Sequence, residues 1–229
     1  MTNVIAHRGA SRAERENTRE AFTAAVRMGA AGIELDARRT ADGAIVVNHD
    51  ARLPDGREII ACQRVDLPEH VLTLGEALDA CAGAFVNIEI KNDPAEPDFD
   101  ESESVAEGVV DLLASRAEPI TNWIISSFRI ESVDRCRTLA PELPTAWLTF
   151  RPVTSDDIDD VVRRGHVAIH PAVPTVDADL IARCHERRLA VNTWTCNDPV
   201  RARQLAAWGV DGICTDVPDE ILTALGDHP

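Results

Sequence analysis

Within Ile33-Glu34-Leu35-Asp36, the two-residue period of a strand turns both carboxylates to one face and both apolar side chains to the other. Two such groups held together in a protein interior do not both stay ionised unless a cation joins them. Asn87-Ile88-Glu89-Ile90-Lys91 repeats the pattern, with Asn87, Glu89 and Lys91 on one face. On a single strand this alternation fits an ion pair at the surface equally well; on two strands it favours a shared site. Three convergent carboxylates, Glu34, Asp36 and Glu89, suit a hard, oxygen-seeking ion such as Mg2+ or Ca2+. His7-Arg8-Gly9 ends a short apolar run, where Arg8 can grip a phosphate through parallel N–H donors. A lone histidine at a strand end is ordinarily structural. Two of them, His7 and His49, with a cation around one anion are the equipment for general acid and base chemistry at phosphorus.

Such residues need a scaffold that brings separate strands to one point. Short β-rich runs at 3–8, 31–37, 85–91, 122–127, 145–149, 166–170, 189–194 and 211–215 alternate with amphipathic helical patterns, for example 19–28, 74–81, 104–115, 156–163, 177–187 and 199–208. Eight strand–helix units predict an α/β fold, a (β/α)8 TIM barrel, whose active face lies at the carboxyl ends of its strands. The run Ala44-Ile45-Val46-Val47 follows the second strand too closely for a parallel crossover. Asp42-Gly43 is a two-residue hairpin signal, so 37–41 and 44–48 are expected to form an antiparallel ribbon at the barrel mouth. With Ala41 paired to Ala44, Asp36 is expected directly opposite His49. Asp93 to Glu107 holds seven acidic residues and no basic one. It reads as a solvated loop leading into a helix whose first turn favours acids, with a lid as the other option.

The residues also resemble a family. Ile5-Ala6-His7-Arg8-Gly9, Glu16-Asn17-Thr18, Ile33-Glu34-Leu35-Asp36, Thr40-Ala41-Asp42-Gly43, Val46-Val47-Asn48-His49-Asp50 and Ile88-Glu89-Ile90-Lys91 are similar, in order and spacing, to glycerophosphodiester phosphodiesterases. Ser127-Phe128, Asn192-Thr193-Trp194-Thr195-Cys196-Asn197 and Gly209 to Asp216 extend the resemblance over nearly the whole chain. It implies hydrolysis of a glycerophosphodiester, a small-molecule substrate, to glycerol 3-phosphate and an alcohol. It further implies a divalent cation held by Glu34, Asp36 and Glu89, and His7 and His49 as general acid and base. Arg8 and Lys91 would hold the phosphate, and Trp194 and Phe128 would line the pocket for the glycerol or alcohol. For Phe128 an aromatic core role fits nearly as well. The chain departs from the family pattern at Arg15, where proline is usual, and in Ala51 to Arg57 after His49-Asp50.

A lysophospholipase D-type reading keeps the barrel and the cation but requires an apolar groove or membrane-facing patch. A non-catalytic phosphate- or polyol-binding barrel would be marked by loss of His7, His49 or a carboxylate, and all are present. The 229 residues, 45% hydrophobic, fit one domain over 1–229 with an insertion at about 38–72. The 39 acidic against 23 basic residues give a net charge of −16, which disfavours nucleic acid and stable membrane association. Without an apolar run of roughly 18 residues, and with a start lacking a basic and then apolar region, a cytoplasmic location is expected. Six cysteines without a Cys-x-x-Cys pair read as reduced structural thiols. His170 could reach the pocket, though a structural role fits it better, and His70, His166, His185 and His228 carry no pattern.

Overall fold

The computed structural model describes residues 2–226, and His228 lies outside them. Eight parallel strands close a ring in the order β1 (Asn3–His7), β2 (Gly32–Arg39), β4 (Phe85–Ile90), β5 (Trp123–Ser127), β6 (Thr145–Thr149), β7 (Ala168–Pro171), β8 (Ala190–Thr193) and β9 (Gly212–Thr215), which pairs back with β1. Helices α1 (Arg19–Met28), α2 (Leu74–Ala80), α3 (Ser104–Ala114), α4 (Ile130–Leu139), α5 (Ser155–Arg164), α6 (Ala178–Glu186), α7 (Pro199–Ala207) and α8 (Pro218–Leu225) follow the ring strands. This is the expected (β/α)8 barrel, with β3 (Ile45–Val47) outside the ring. None of these helices is long and apolar enough to cross a membrane.

Outward-facing apolar residues seat the helices. Phe22, Ile33, Leu35, Ile88 and Ile125 anchor one half of the core, and Ile169, Leu180, Val191, Ile213 and Ile221 the other. The helix ends are fixed locally. Thr18 accepts from the Ala21 N–H at the start of α1, and Thr73 with Glu76 and Thr154 with Asp157 form capping boxes on α2 and α5. Inside the ring, Phe85, Ile124, Ala146, Ala168 and Ala190 fill the floor. Two residues further along their strands, Asn87, Ser126, His170 and Asn192 make the lumen polar; Glu34 is in register with Asn87, and Asp36 and Glu89 lie two residues further on. All six cysteines are free and buried, and burial pushes the Cys81 and Cys136 thiols up to about 12.

The ribbon after β2 forms, but its register differs by one residue from expectation. Ala37 pairs with Val47 and Arg39 with Ile45. Thr40 then faces Ala44, so the loop has three residues, Ala41 to Gly43, with Gly43 at φ +82°. The cause is Thr40: its Oγ1 accepts from the Ala44 N–H at 3.0 Å and donates to Asp42 at 2.6 Å, holding Asp42 inside the turn. Asn48, not His49, is therefore opposite Asp36, and its N–H donates to the Asp36 carbonyl at 3.0 Å. Between the ribbon and α2, Val46, Leu53, Ile59, Cys62, Leu67 and Val71 pack a small core of their own.

The acidic stretch after β4 also differs from a solvated loop. Asp98 and Glu103 are buried against arginines, and the residue before α3 is Glu103 in a left-handed conformation, without a side-chain cap. At the end of β1 the turn depends on Gly9. Its φ is +80°, and a Cβ there would sit 2.6 Å from the Ala21 carbonyl carbon on α1. Gly9→Ala should therefore cost about 2 kcal/mol or more in a denaturant titration and displace His7 and Arg8. Unchanged stability would show that this turn relaxes freely.

Candidate active site

The ladder itself gathers the charged residues. In the pairing of β1 with β2, His7 stands beside Glu34; in that of β2 with β4, Asp36 stands beside Glu89. Oxygen atoms of Glu34, Asp36 and Glu89 lie within 4.8 Å of one another, and all three residues are buried. Asn17 donates to Asp36 Oδ2 at 2.7 Å. The Arg8 backbone N–H, set by a φ of +55°, donates to Glu34 Oε2 at 3.0 Å. Its guanidinium reaches Asp36 Oδ2 at 3.4 Å and Glu16 Oε2 at 3.1 Å. Lys91 Nζ lies 3.1 Å from Asp36 Oδ1 and 2.6 Å from Glu89 Oε1.

Three carboxylates thus face two cations, and the charge balance shows in their titration. Burial, then the charge of Asp36, raises the Glu34 carboxyl to about 8. Burial raises Glu89 too, against the pull of Lys91. Asp36 goes the other way: burial opposes it, but Lys91 and Arg8 hold it well below the usual carboxylate range. Apart from the charge of Lys91, Glu34 Oε1, Asp36 Oδ1 and Glu89 Oε1 are buried without donors. An all-oxygen donor set with unsatisfied lone pairs and surplus negative charge fits a hard divalent cation.

His7 closes one side. Its Nδ1 is 2.6 Å from Asp216 Oδ1, just past β9, while Nε2 faces Glu34 Oε2 at 3.9 Å. Asp216 also accepts from Ser11 and from Asn197 Nδ2. Burial alone would raise Asp216, but the His7 and Asn197 bonds bring it down to about 2. Burial pulls His7 down, yet the bond to Asp216 outweighs it and raises its pKa, with Glu34 adding to the rise where it is ionised. Asp216 is a residue to which the sequence assigned no role. The available signal was its place at the carboxyl end of the strand that must close onto β1.

His49 and Lys91 line the same cavity, of about 920 Å3, as His7, Arg8 and Glu89. His49 is partly exposed, with Nδ1 2.7 Å from Asp50 Oδ1. The far wall is aromatic. Trp194, held by its Nε1 donating to the His170 carbonyl, meets Phe128 edge-on at 5.3 Å. Phe150, not singled out by the sequence, stacks on Phe128 at 4.3 Å and remains 68% exposed. His170 lies a layer below, where its Nε2 accepts from Asn192 and burial lowers it to about 3.

Polar and charged groups at the carboxyl face of a closed parallel barrel define the class of (β/α)8 enzymes. A sequence profile of the glycerophosphoryl diester phosphodiesterase family matches residues 7–220. The protein YhdW of Bacillus subtilis (strain 168) is 33% identical over 241 residues, covering 96% of each chain. A glycerophosphodiester phosphodiesterase of Caldanaerobacter subterraneus subsp. tengcongensis is 28% identical over 244 residues, again 96% of both chains. An Oleispira antarctica phosphodiesterase, solved in complex with the product sn-glycerol-3-phosphate, superposes with a TM-score of 0.90 at 23% identity, over 99% of this chain and 97% of that one. The chain belongs to the glycerophosphoryl diester phosphodiesterase family and is a phosphoric diester hydrolase.

Because the Glu34 carboxyl holds a proton below about pH 8 in the cation-free protein, admitting a divalent ion at pH 7 should release about one proton. Apparent affinity should then weaken as pH falls below 8, by up to about tenfold per unit. Calorimetric titration in two buffers of different ionisation enthalpy measures the proton count, and identical heats would refute it.

Proposed function

We propose that this enzyme hydrolyses glycerophosphodiesters to glycerol 3-phosphate and a free alcohol with a divalent cation, Mg2+ or Ca2+, held by Glu34, Asp36 and Glu89. The observation that carries this reading is the cluster of three buried carboxylates within 4.8 Å of one another, beside two histidines and two cations on one cavity. The names of the relatives support the substrate class, as does the product bound by the Oleispira antarctica enzyme. When bound, the cation would neutralise phosphoryl oxygen and lower the pKa of the attacking hydroxyl.

The chain's own groups do the remaining work. Arg8 and Lys91 offer donors to the non-bridging phosphoryl oxygens once the substrate draws them from Asp36 and Glu89. Asp216 fixes the His7 tautomer by accepting from Nδ1–H, leaving Nε2 to exchange a proton inside the cavity. His7 and His49 divide the two transfers: one takes the proton of the attacking hydroxyl, and the other gives a proton to the alcohol oxygen as its bond to phosphorus breaks. Trp194 and Phe128 pack the carbon skeleton of the glycerol or alcohol moiety. A lysophospholipid substrate is a second reading, favoured by the apolar wall that Phe150 adds to Phe128 and Trp194 at the cavity mouth.

Release of glycerol 3-phosphate from glycerophosphocholine and glycerophosphoethanolamine tests the first reading. Activity should vanish after EDTA treatment, return with Mg2+ or Ca2+, and fall by roughly 10²–10⁴ in His49→Ala; full activity in EDTA would sink it. Asp216→Asn replaces the carboxylate acceptor whose bond does most to raise the His7 pKa, so that value should drop towards or below the ordinary histidine range in an NMR titration. The rate should fall by about 10² or more, and an unmoved His7 titration would count against the dyad.

A further inference from the structure

Arg38 is buried to 1% exposure and lies on β2, two residues beyond Asp36. Its Nε and Nη2 both donate to the carbonyl oxygen of His49, at 2.8 and 2.6 Å. Nη1 donates to Asp98 Oδ2 at 2.6 Å, and Nη2 pairs with Glu96 Oε2 at 2.7 Å. The ribbon explains why this matters. β3 ends at Val47, and the bond from Asn48 N–H to Asp36 is the last of ladder type before the chain turns away. His49 lies beyond the pairing, and among the described residues its ring is bonded to the exposed Asp50 alone.

The two Arg38 bonds therefore take over where the strand stops holding. Pairing with Glu96 and Asp98 would by itself need only a positive charge. Two convergent N–H bonds on one carbonyl need the planar fork of a guanidinium. The partners Glu96 and Asp98 belong to the acidic loop after β4, which also lines the cavity through Asp93, Pro94 and Glu96. One buried cation thus ties the His49 backbone to the loop that follows Glu89 and Lys91.

We propose that Arg38 is the positioning residue for His49, and that Asp98 acts on the reaction through it by fixing the guanidinium. The proposal rests on the reading of His49 as a proton-transfer residue. Arg38 does not line the cavity; it sets the height and direction from which the imidazole enters it. A displacement of about 1 Å at such a group costs on the order of 10²-fold in rate.

The test is a double-mutant cycle on glycerophosphocholine hydrolysis, with kcat and KM measured for wild type, Arg38→Gln, Asp98→Asn, His49→Ala and the two doubles with His49→Ala. Arg38→Gln should lose about 10- to 10²-fold in kcat with KM held within about threefold, because substrate binding does not pass through Arg38. Asp98→Asn should lose less. In the His49→Ala background both losses should disappear, leaving the residual rate of His49→Ala alone. Losses that multiply in the doubles would overturn the proposal, since a merely structural arginine lowers both backgrounds alike. A His49→Ala enzyme with wild-type kcat would instead remove the proton-transfer role of His49. Should Arg38→Gln fail to fold, Arg38→Lys takes its place in the cycle. It keeps the charge for Asp98 but cannot reproduce the forked bonds, and a kcat equal to wild type would likewise overturn the proposal.

Discussion

Bringing Glu34, Asp36 and Glu89 within 4.8 Å of one another sets the problem that the mouth of this barrel has to solve. At an effective dielectric near 20, each pair of unit charges at that distance repels by roughly 3–4 kcal/mol, before any cost of removing the groups from water. The surroundings answer almost point for point. Lys91 stands between Asp36 and Glu89, Arg8 reaches Asp36 by its guanidinium and Glu34 by its backbone, and Asn17 donates to Asp36. Even so, Glu34 stays with its proton up to about pH 8. Protein groups have gone far enough to hold the site together, while a deficit of positive charge remains.

The rest of the fold serves to place those groups on neighbouring strand ends. Parallel register puts Glu34 beside His7 and Asp36 beside Glu89 without any loop having to search for them. Towards the floor the lumen passes from carboxylates to amides and a neutral His170, and then to apolar side chains. The flanking loops are held by the same chemistry in reverse, with Arg38 and Arg129 buried against carboxylates of the acidic segment.

Much of this was legible in the sequence, because the strand period alone determines that Glu34 and Asp36 share a face, and β-rich runs spaced by amphipathic helices imply closure. What escaped depended on side chains acting on the backbone or on distant closure. The ribbon register moved by one residue because the Thr40 hydroxyl captures both Ala44 and Asp42, which a rule based on Asp-Gly alone does not weigh. The acidic segment read as solvated because its arginine partners, Arg38 and Arg129, lie on other elements. Phe150 sits one residue past the end of β6, where only the neighbouring strand ends reveal that Phe128 and Trp194 are beside it.

The contact between His7 and Asp216 joins the first strand to the segment just beyond the last, 209 residues later. The carboxylate cluster is drawn from β2 and β4 alone. The imidazole at the end of β1 meets its carboxylate only when the ring shuts. The orientation of His7 by Asp216 therefore depends on β9 lying beside β1. The orientation of this imidazole and the topological closure of the sheet rest on the same neighbouring strands.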